Sequence, residues 1–548
     1  MGRTQTAVCL IHPHLEGIGM KKLNPGLGRG CAPALFCAAA LTATLAPIST
    51  LHAETTAKIV MQAPLRVIDP ILTNAYITRN HGYMVFDTLF ALDANGKPQP
   101  EMVESWQESP DRLTVTLTLR PNLTFHDGSP VTGEDVVASL KRWAERDVLG
   151  LRLMAATRSL ESPDATTIVF HLKQPFGMLI DALAKPASPV PFIMPKRIAS
   201  VPVSQTITEV IGSGPYKFVA ADFQPGVKAT YVKFADYVPR KEPASGFAGA
   251  KLAVVDRLEL VNISDSQTAV NALRRGEIDF VEDVPPDLLP QLEGVKGVAL
   301  KSYGDSTNIF TMRMNWLQPP FDNVKVRRAV LAAVYQGDYL AAQIGDEKMV
   351  KLCGAVLSCN SPYASEDGAT QTKEPDLAHA KALLKDSGYD GSKVVILHPT
   401  DLPVLASLAS VTAQALKTIG MNVEIQSMDW TTLLSRYSKK DPVAQGGWSI
   451  FQTGFTSLDL MNPLTNPNLD GRGASGYVGW SKSEQMENLR DQFAETDDPA
   501  RRKDIALQIQ KLNYDQVLFI PLGTYSKMKG YNAAKLGRMT DAQIPLFW

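Results

Sequence analysis

Apolar and polar residues alternate strictly over Leu113-Thr-Val-Thr-Leu-Thr-Leu-Arg120, which places Leu113, Val115, Leu117 and Leu119 on one face of a half-buried strand. The same period marks Thr167–Lys173, and further strands are expected at Ala57–Met61, Tyr216–Ala220, Lys228–Phe234 and Asp256–Ile263. Between them the period changes to that of a helix. After the turn Asp127-Gly-Ser-Pro130, Thr132 can cap a helix with Glu134 and Asp135 in its first turn and Val136, Leu140 and Trp143 on one side. Further helices are expected at Thr268–Arg275, stopped by Gly276, and from Asp322 or Asn323 through Val326, Val330, Ala333 and Val334. Lys393–His398, a helix over about 402–419 ended by Gly420, and Met421–Ser427 read as a βαβ unit with parallel strands. A long helix from Ser483 to Gln516, broken at Asp497-Asp498-Pro499, leads into a buried strand Val517–Ile520. The segment from Asp69 to Phe90 shows no clean period. The pattern as a whole is α/β, without the repeats of a solenoid or propeller.

Length turns this pattern into more than one packed unit, because 548 residues exceed what a single core usually organises. Apolar residues at 45% and charged residues at 20% exclude a disordered, fibrous or multi-span membrane chain. Basic and acidic residues nearly balance, 55 against 56, with no basic stripe to follow a phosphate backbone, so nucleic acid is not an expected partner.

The N-terminus changes the picture. Ala34 to Ile48 is apolar or small and uncharged, preceded by Lys21, Lys22 and Arg29 and followed by Leu51-His52-Ala53-Glu54. This describes a secretory signal over 1–53 with cleavage after Ala53, and the run is short of the ~20 apolar residues a membrane span needs. Met20 is the more typical signal start, which makes 1–19 an extension. A soluble, exported, periplasmic chain of net charge −4 is expected, with 51 basic against 55 acidic residues. Of five cysteines only Cys353 and Cys359 remain in it, and six residues apart in an exported protein they most simply form one local disulfide. A metal site is the alternative, although no His lies near and two thiolates do not complete a zinc shell.

Catalytic motifs are absent. The remaining histidines, His81, His126, His171, His379 and His398, form no zinc motif, and there is no nucleophile elbow, Walker loop or dinucleotide fingerprint. No cofactor and no metal are expected, and an exported hydrolase is the alternative class.

Phe86-Asp-Thr-Leu-Phe-Ala-Leu-Asp93, Pro100-Glu-Met-Val-Glu-Ser-Trp106, Leu119-Arg-Pro121, Phe125-His-Asp-Gly128, Glu134-Asp-Val-Val137 and Lys141-Arg-Trp143 closely resemble the signature of the extracellular solute-binding proteins of family 5. The resemblance continues through Gly212–Tyr216, Ala272–Asp279, Asn323–Val330 and Phe519–Leu522. It implies a bilobal periplasmic-binding-protein fold of type II, in the large peptide-binding class, with an extra subdomain in the main lobe. The main lobe is placed at 54–305 plus 515–548 and the second lobe at 306–514. It implies the substrate-binding component of an ABC importer: not an enzyme, a monomer that closes over a small molecule or short peptide and delivers it to the permease subunits.

Trp430, Trp448, Phe451 and Trp480 are candidate apolar walls for such a ligand. Thr456-Ser-Leu-Asp-Leu-Met-Asn-Pro463 resembles the loop in which peptide-binding relatives place an Asp for the ligand ammonium, making Asp459 the nearest candidate, with Asn462 before the proline. Where dipeptide binders carry an Arg for the ligand carboxylate, Val404–Val411 has no base, leaving Arg436 or Arg472 as substitutes. Tyr76 and His81, in the early Asp69–Tyr83 segment, are further candidate contacts, and a metal chelate or haem is the alternative ligand.

Overall fold

The computed structural model describes residues 54–548 except Ser306, so the export signal expected over 1–53 lies outside the described residues. Two large sheets organise the chain. The first has seven strands in the order Val298–Ser302, Met528–Asn532, Phe280–Val281, Thr56–Val60, Arg257–Val261, Lys228–Lys233 and Tyr216–Phe218. The second has six, in the order Val350–Lys351, Ile520–Tyr525, Asn308–Met314, Ile450–Thr456, Val394–Pro399 and Val423–Met428. A four-stranded antiparallel sheet, Val103–Glu108, Thr114–Leu119, Thr167–Leu172 and Thr157–Glu161, stands apart from both and packs against helices α2 (Gly133–Ala144) and α3 (Val148–Ala156).

Local chemistry explains the elements. Thr114–Leu119 buries alternate residues, as its pattern demands. Thr132 accepts from the Asp135 N–H while the Asp135 carboxylate accepts from the Thr132 N–H, a reciprocal cap that starts α2. Gly276 ends the helix Ser266–Arg275 in the left-handed conformation, at φ 72°, that favours glycine. Val394–Pro399 and Val423–Met428 pair in parallel, joined by the helix Leu408–Thr418.

Three boundaries differ from the expectations. The helix over 402–419 starts only at Leu408, because Pro403–Leu405 makes a separate 3₁₀ turn. The expected strand Val517–Ile520 lies at Ile520–Tyr525, since Val517 takes a left-handed conformation that terminates the preceding helix. That strand pairs with Asn308–Met314 and Val350–Lys351, so Ile520–Tyr525 belongs with the six-stranded sheet, and the chain rejoins the first sheet at Met528–Asn532. The segment without a period contains helix α1 (Tyr76–Val85), nine of whose ten residues are buried, and a helix buried on all sides has no amphipathic stripe to read. Among the described residues no helix is long and apolar enough to cross a membrane.

Candidate functional site

Asp459 sits in the 3₁₀ turn Ser457–Leu460 that follows the strand Ile450–Thr456. Its Oδ2 accepts the Thr456 N–H at 3.0 Å and the Thr456 hydroxyl at 2.7 Å, so the carboxylate first of all caps its own turn. A third donor reaches the same oxygen from the other side. The hydroxyl of Tyr76, at the start of α1 and 383 residues away in sequence, donates to it at 2.6 Å. Burial and the adjacent Asp459 carboxylate raise the Tyr76 phenol well above its ordinary range, so it remains a donor. Two sequence candidates, one at the start of a helix and one in the turn after a strand of the six-stranded sheet, are thus brought into direct contact, with Asp459 only 8% exposed.

The turn is fixed from behind by the Cys353–Cys359 disulfide segment. The Ser358 N–H donates to the Leu460 carbonyl at 2.8 Å, and the Ser361 hydroxyl donates to the Met461 carbonyl at 2.6 Å. Asn462 plays a local part: its Oδ1 accepts from the N–H groups of Leu464 and Thr465, closing the bend around Pro463.

One turn along α1, the Arg79 guanidinium lies 4.7 Å from the centre of the Tyr76 ring. Its Nε and Nη2 both donate to Asn80 Oδ1, and Asn80 Nδ2 donates to Glu282 Oε1 at 3.3 Å. Burial raises the Glu282 carboxyl above the usual carboxylate range, against the opposing pull of the Gln62 N–H on its other oxygen. The sequence reading missed Arg79; its three-residue spacing from Tyr76 was the available signal, hidden by the lack of a period around it.

The other candidates lie elsewhere. Trp448, Phe451 and Trp480 do not stand as free walls: with Trp430, Tyr437, Leu433, Val395 and Leu397 they make a small core of their own, with Trp448 fully buried and its indole N–H on the Tyr437 carbonyl. Ring centres at 5.8 Å for Trp448 and Trp480 and 6.2 Å for Trp430 and Phe451 show faces occupied by one another. His81 projects from the face of α1 opposite Tyr76, with Nδ1 on the Tyr231 hydroxyl at 2.8 Å and Phe218 edge-on at 5.3 Å. Burial lowers its pKa to about 3, so it is a neutral core imidazole. Arg436 donates to the carbonyls of Gly446 and Gly447, and Arg472 pairs with Asp470 at 2.6 Å. Among the described residues no three His, Cys, Asp or Glu side chains converge as a metal-ligand set.

Residues 97–469 match the family described as bacterial extracellular solute-binding proteins, family 5. The chain is similar to a probable peptide ABC transporter periplasmic-binding protein of Sinorhizobium fredii, 38% identical over 488 residues that cover 88% of this chain and 91% of that one. It is 26% identical to a glutathione-binding protein of Pectobacterium atrosepticum, over 77% of this chain and 78% of the relative. Among solved structures it resembles the periplasmic binding protein of Helicobacter pylori in complex with the peptide STSA, with a TM-score of 0.73 at 21% identity, covering 90% of this chain and 97% of that one.

Proposed function

Because the chain belongs to the bacterial extracellular solute-binding proteins of family 5, we propose that it captures a short peptide, or another small organic solute with a cationic or hydrogen-bond-donating group, against Asp459. As a member of that family it is the non-enzymatic substrate-binding component of an ABC importer, with the bilobal type II periplasmic-binding-protein fold. In this reading the lobes are built on the seven-stranded and six-stranded sheets, and the sheet at 103–172 is the extra subdomain. The monomer works in the periplasm and hands its solute to the permease subunits.

The Tyr76–Asp459 hydrogen bond carries this reading, because it joins, at a carboxylate, a helix packed against the seven-stranded sheet to the turn that ends a strand of the six-stranded sheet. Closure requires contacts that differ between open and closed states, and a carboxylate facing an opposing phenol is one that a ligand donor can take over. Asp459 Oδ2 is already held by Thr456, which fixes the carboxylate in place before any ligand arrives. The test is native mass spectrometry of the exported protein purified from its own periplasm, followed by titration calorimetry of the co-purified solute against wild type and Asp459→Asn. A peptide or amine is expected, and a solute bound equally well by both proteins would remove Asp459 from the site.

A further inference from the structure

The chain just after the four-stranded sheet meets the bend between the helices Glu484–Glu495 and Pro499–Gln516 at a point with no room for a side chain. Gly177 lies in the turn between the strand Thr167–Leu172 and a short helix, Leu179–Leu183, that packs on α3. A Cβ at Gly177 would stand 2.6 Å from the Thr496 carbonyl oxygen, 2.8 Å from its carbon and 2.9 Å from the Asp497 nitrogen, all closer than real Cβ contacts come. Those are backbone atoms, which cannot move aside as the end of a flexible side chain can. The turn is held as well, since Phe176 and Met178 on either side of Gly177 are buried. Nothing in the turn itself calls for glycine: its φ lies outside the left-handed region, and the three atoms nearest to the added Cβ all belong to the bend. The missing side chain makes room for the opposing backbone alone.

One guanidinium locks the contact. Arg502, 8% exposed, donates from Nε to the Thr496 carbonyl at 2.9 Å and from Nη2 to the Gly177 carbonyl at 2.8 Å, and its Nη1 lies 3.7 Å from the Asp181 carboxylate in the short helix. Both halves of the contact thus converge on one planar fork, sheltered from the salt that screens exposed pairs. We propose that Gly177 and Arg502 form a seat made only in the closed arrangement, and so are positioning residues for solute capture, setting how tightly the protein holds its solute without touching it. This rests on the reading that puts the sheet at 103–172 and the two helices on different lobes. The physical link is the closed fraction. A solute held by both lobes binds with an affinity scaled by the population of the closed arrangement, so a contact formed only on closure raises affinity from a distance. A Cβ that keeps the seat from forming lowers it.

The experiment compares wild type, Gly177→Ala and Arg502→Lys, as exported protein stripped of solute, by urea unfolding, by small-angle scattering at low salt, and by native mass spectrometry of retention from an equimolar pool of di-, tri- and tetrapeptides. Gly177→Ala is expected to unfold at the same urea concentration as wild type, to have a larger radius of gyration, and to retain peptides at least about ten-fold less well. A radius equal to wild type with unchanged unfolding overturns the seat and leaves the lobe reading intact. Unfolding at lower urea with the radius unchanged places both sides of the contact in one rigid body, which overturns the lobe reading and the seat with it. A larger radius with full retention overturns the control of affinity. Wild type that retains no peptide overturns the peptide reading, and the radius then decides the seat. Should Gly177→Ala fail to fold, Arg502→Lys, which keeps a charge beside Asp181 but cannot span both carbonyls, is expected to show the larger radius, and a radius equal to wild type overturns the proposal.

Discussion

Asp459 has two duties, capping its own turn and meeting Tyr76, and a single substitution separates them. Asp459→Asn keeps an acceptor for the Thr456 donors, so stability should fall by about 1 kcal/mol at most. Affinity for an amine-bearing solute should fall by about 2–5 kcal/mol, roughly 30-fold to several thousand-fold, because a charge-assisted partner is lost. Calorimetry and thermal unfolding on the same variant read the two effects. His81 makes a prediction about pH. Its pKa is about 3 in the fold against 6.5 for the ordinary imidazole, so as pH falls below 6.5 the unfolded chain takes up a proton that the native protein refuses. The stabilisation is therefore complete above pH 6.5 and is lost progressively toward pH 3, amounting to about 2 kcal/mol by pH 5. His126, lowered to about 4 chiefly by burial, adds to the same trend. Urea unfolding at pH 7.5 and pH 5.0 should show a smaller acid loss in His81→Gln than in wild type, and an equal loss would place the acid sensitivity elsewhere.

At the level of elements, short-range ties decide whether the site is held ready. The Cys353–Cys359 bridge closes a small loop from which Ser358, with Ser361 just beyond it, holds the carbonyls of Leu460 and Met461. Replacing both cysteines with serine should cost roughly 2 kcal/mol by chain entropy. It should also weaken solute binding, since the turn that presents Asp459 loses its backing; destabilisation with undiminished affinity would make the bridge a staple alone. The reciprocal cap of α2 is a control far from the site. Thr132→Ala should lower stability by about 1 kcal/mol and leave binding unchanged, checked by denaturant unfolding and titration.

Across the whole molecule, the four-stranded sheet and the chain around it meet the helices Glu484–Glu495 and Pro499–Gln516 and the bend between them through polar and charged groups. Arg152 pairs with Glu487 at 2.6 Å and with Asp491, Arg112 pairs with Asp497 at 2.9 Å, Gln174 reaches Glu495, and Arg502 donates to the Gly177 carbonyl. Most of these groups are partly exposed, so each contact is weak and screened by salt. In the proposed reading, with the sheet at 103–172 on one lobe and these helices on the other, they favour the closed arrangement. Scattering of the solute-free protein should therefore show a larger radius of gyration at about 1 M salt, where the Debye length is about 3 Å, than at low salt. Arg152→Ala should show the larger radius already at low salt, and a radius independent of both would mean that these pairs contribute nothing to closure.

Local rules were enough for much of this protein. Alternation gave Thr114–Leu119 and Thr167–Leu172, a capping pattern gave the start of α2, Gly276 gave a helix end, and the ordered residues of 86–143 gave the family. These features depend on near neighbours in the chain, where side-chain period and backbone preference act directly. What lay beyond them needed distance to be closed by folding. Helix α1 was illegible because it is buried on nearly every side, and the aromatic residues near Trp448 looked like pocket walls because only packing shows that their faces are already covered. Tyr76 meets Asp459 across 383 residues, and Arg79 is unusual only because burial left its Nη1 without an acceptor. Sequence determined the parts and the family; the tertiary structure decided which charges face one another, because pairing and desolvation are properties of a place in space.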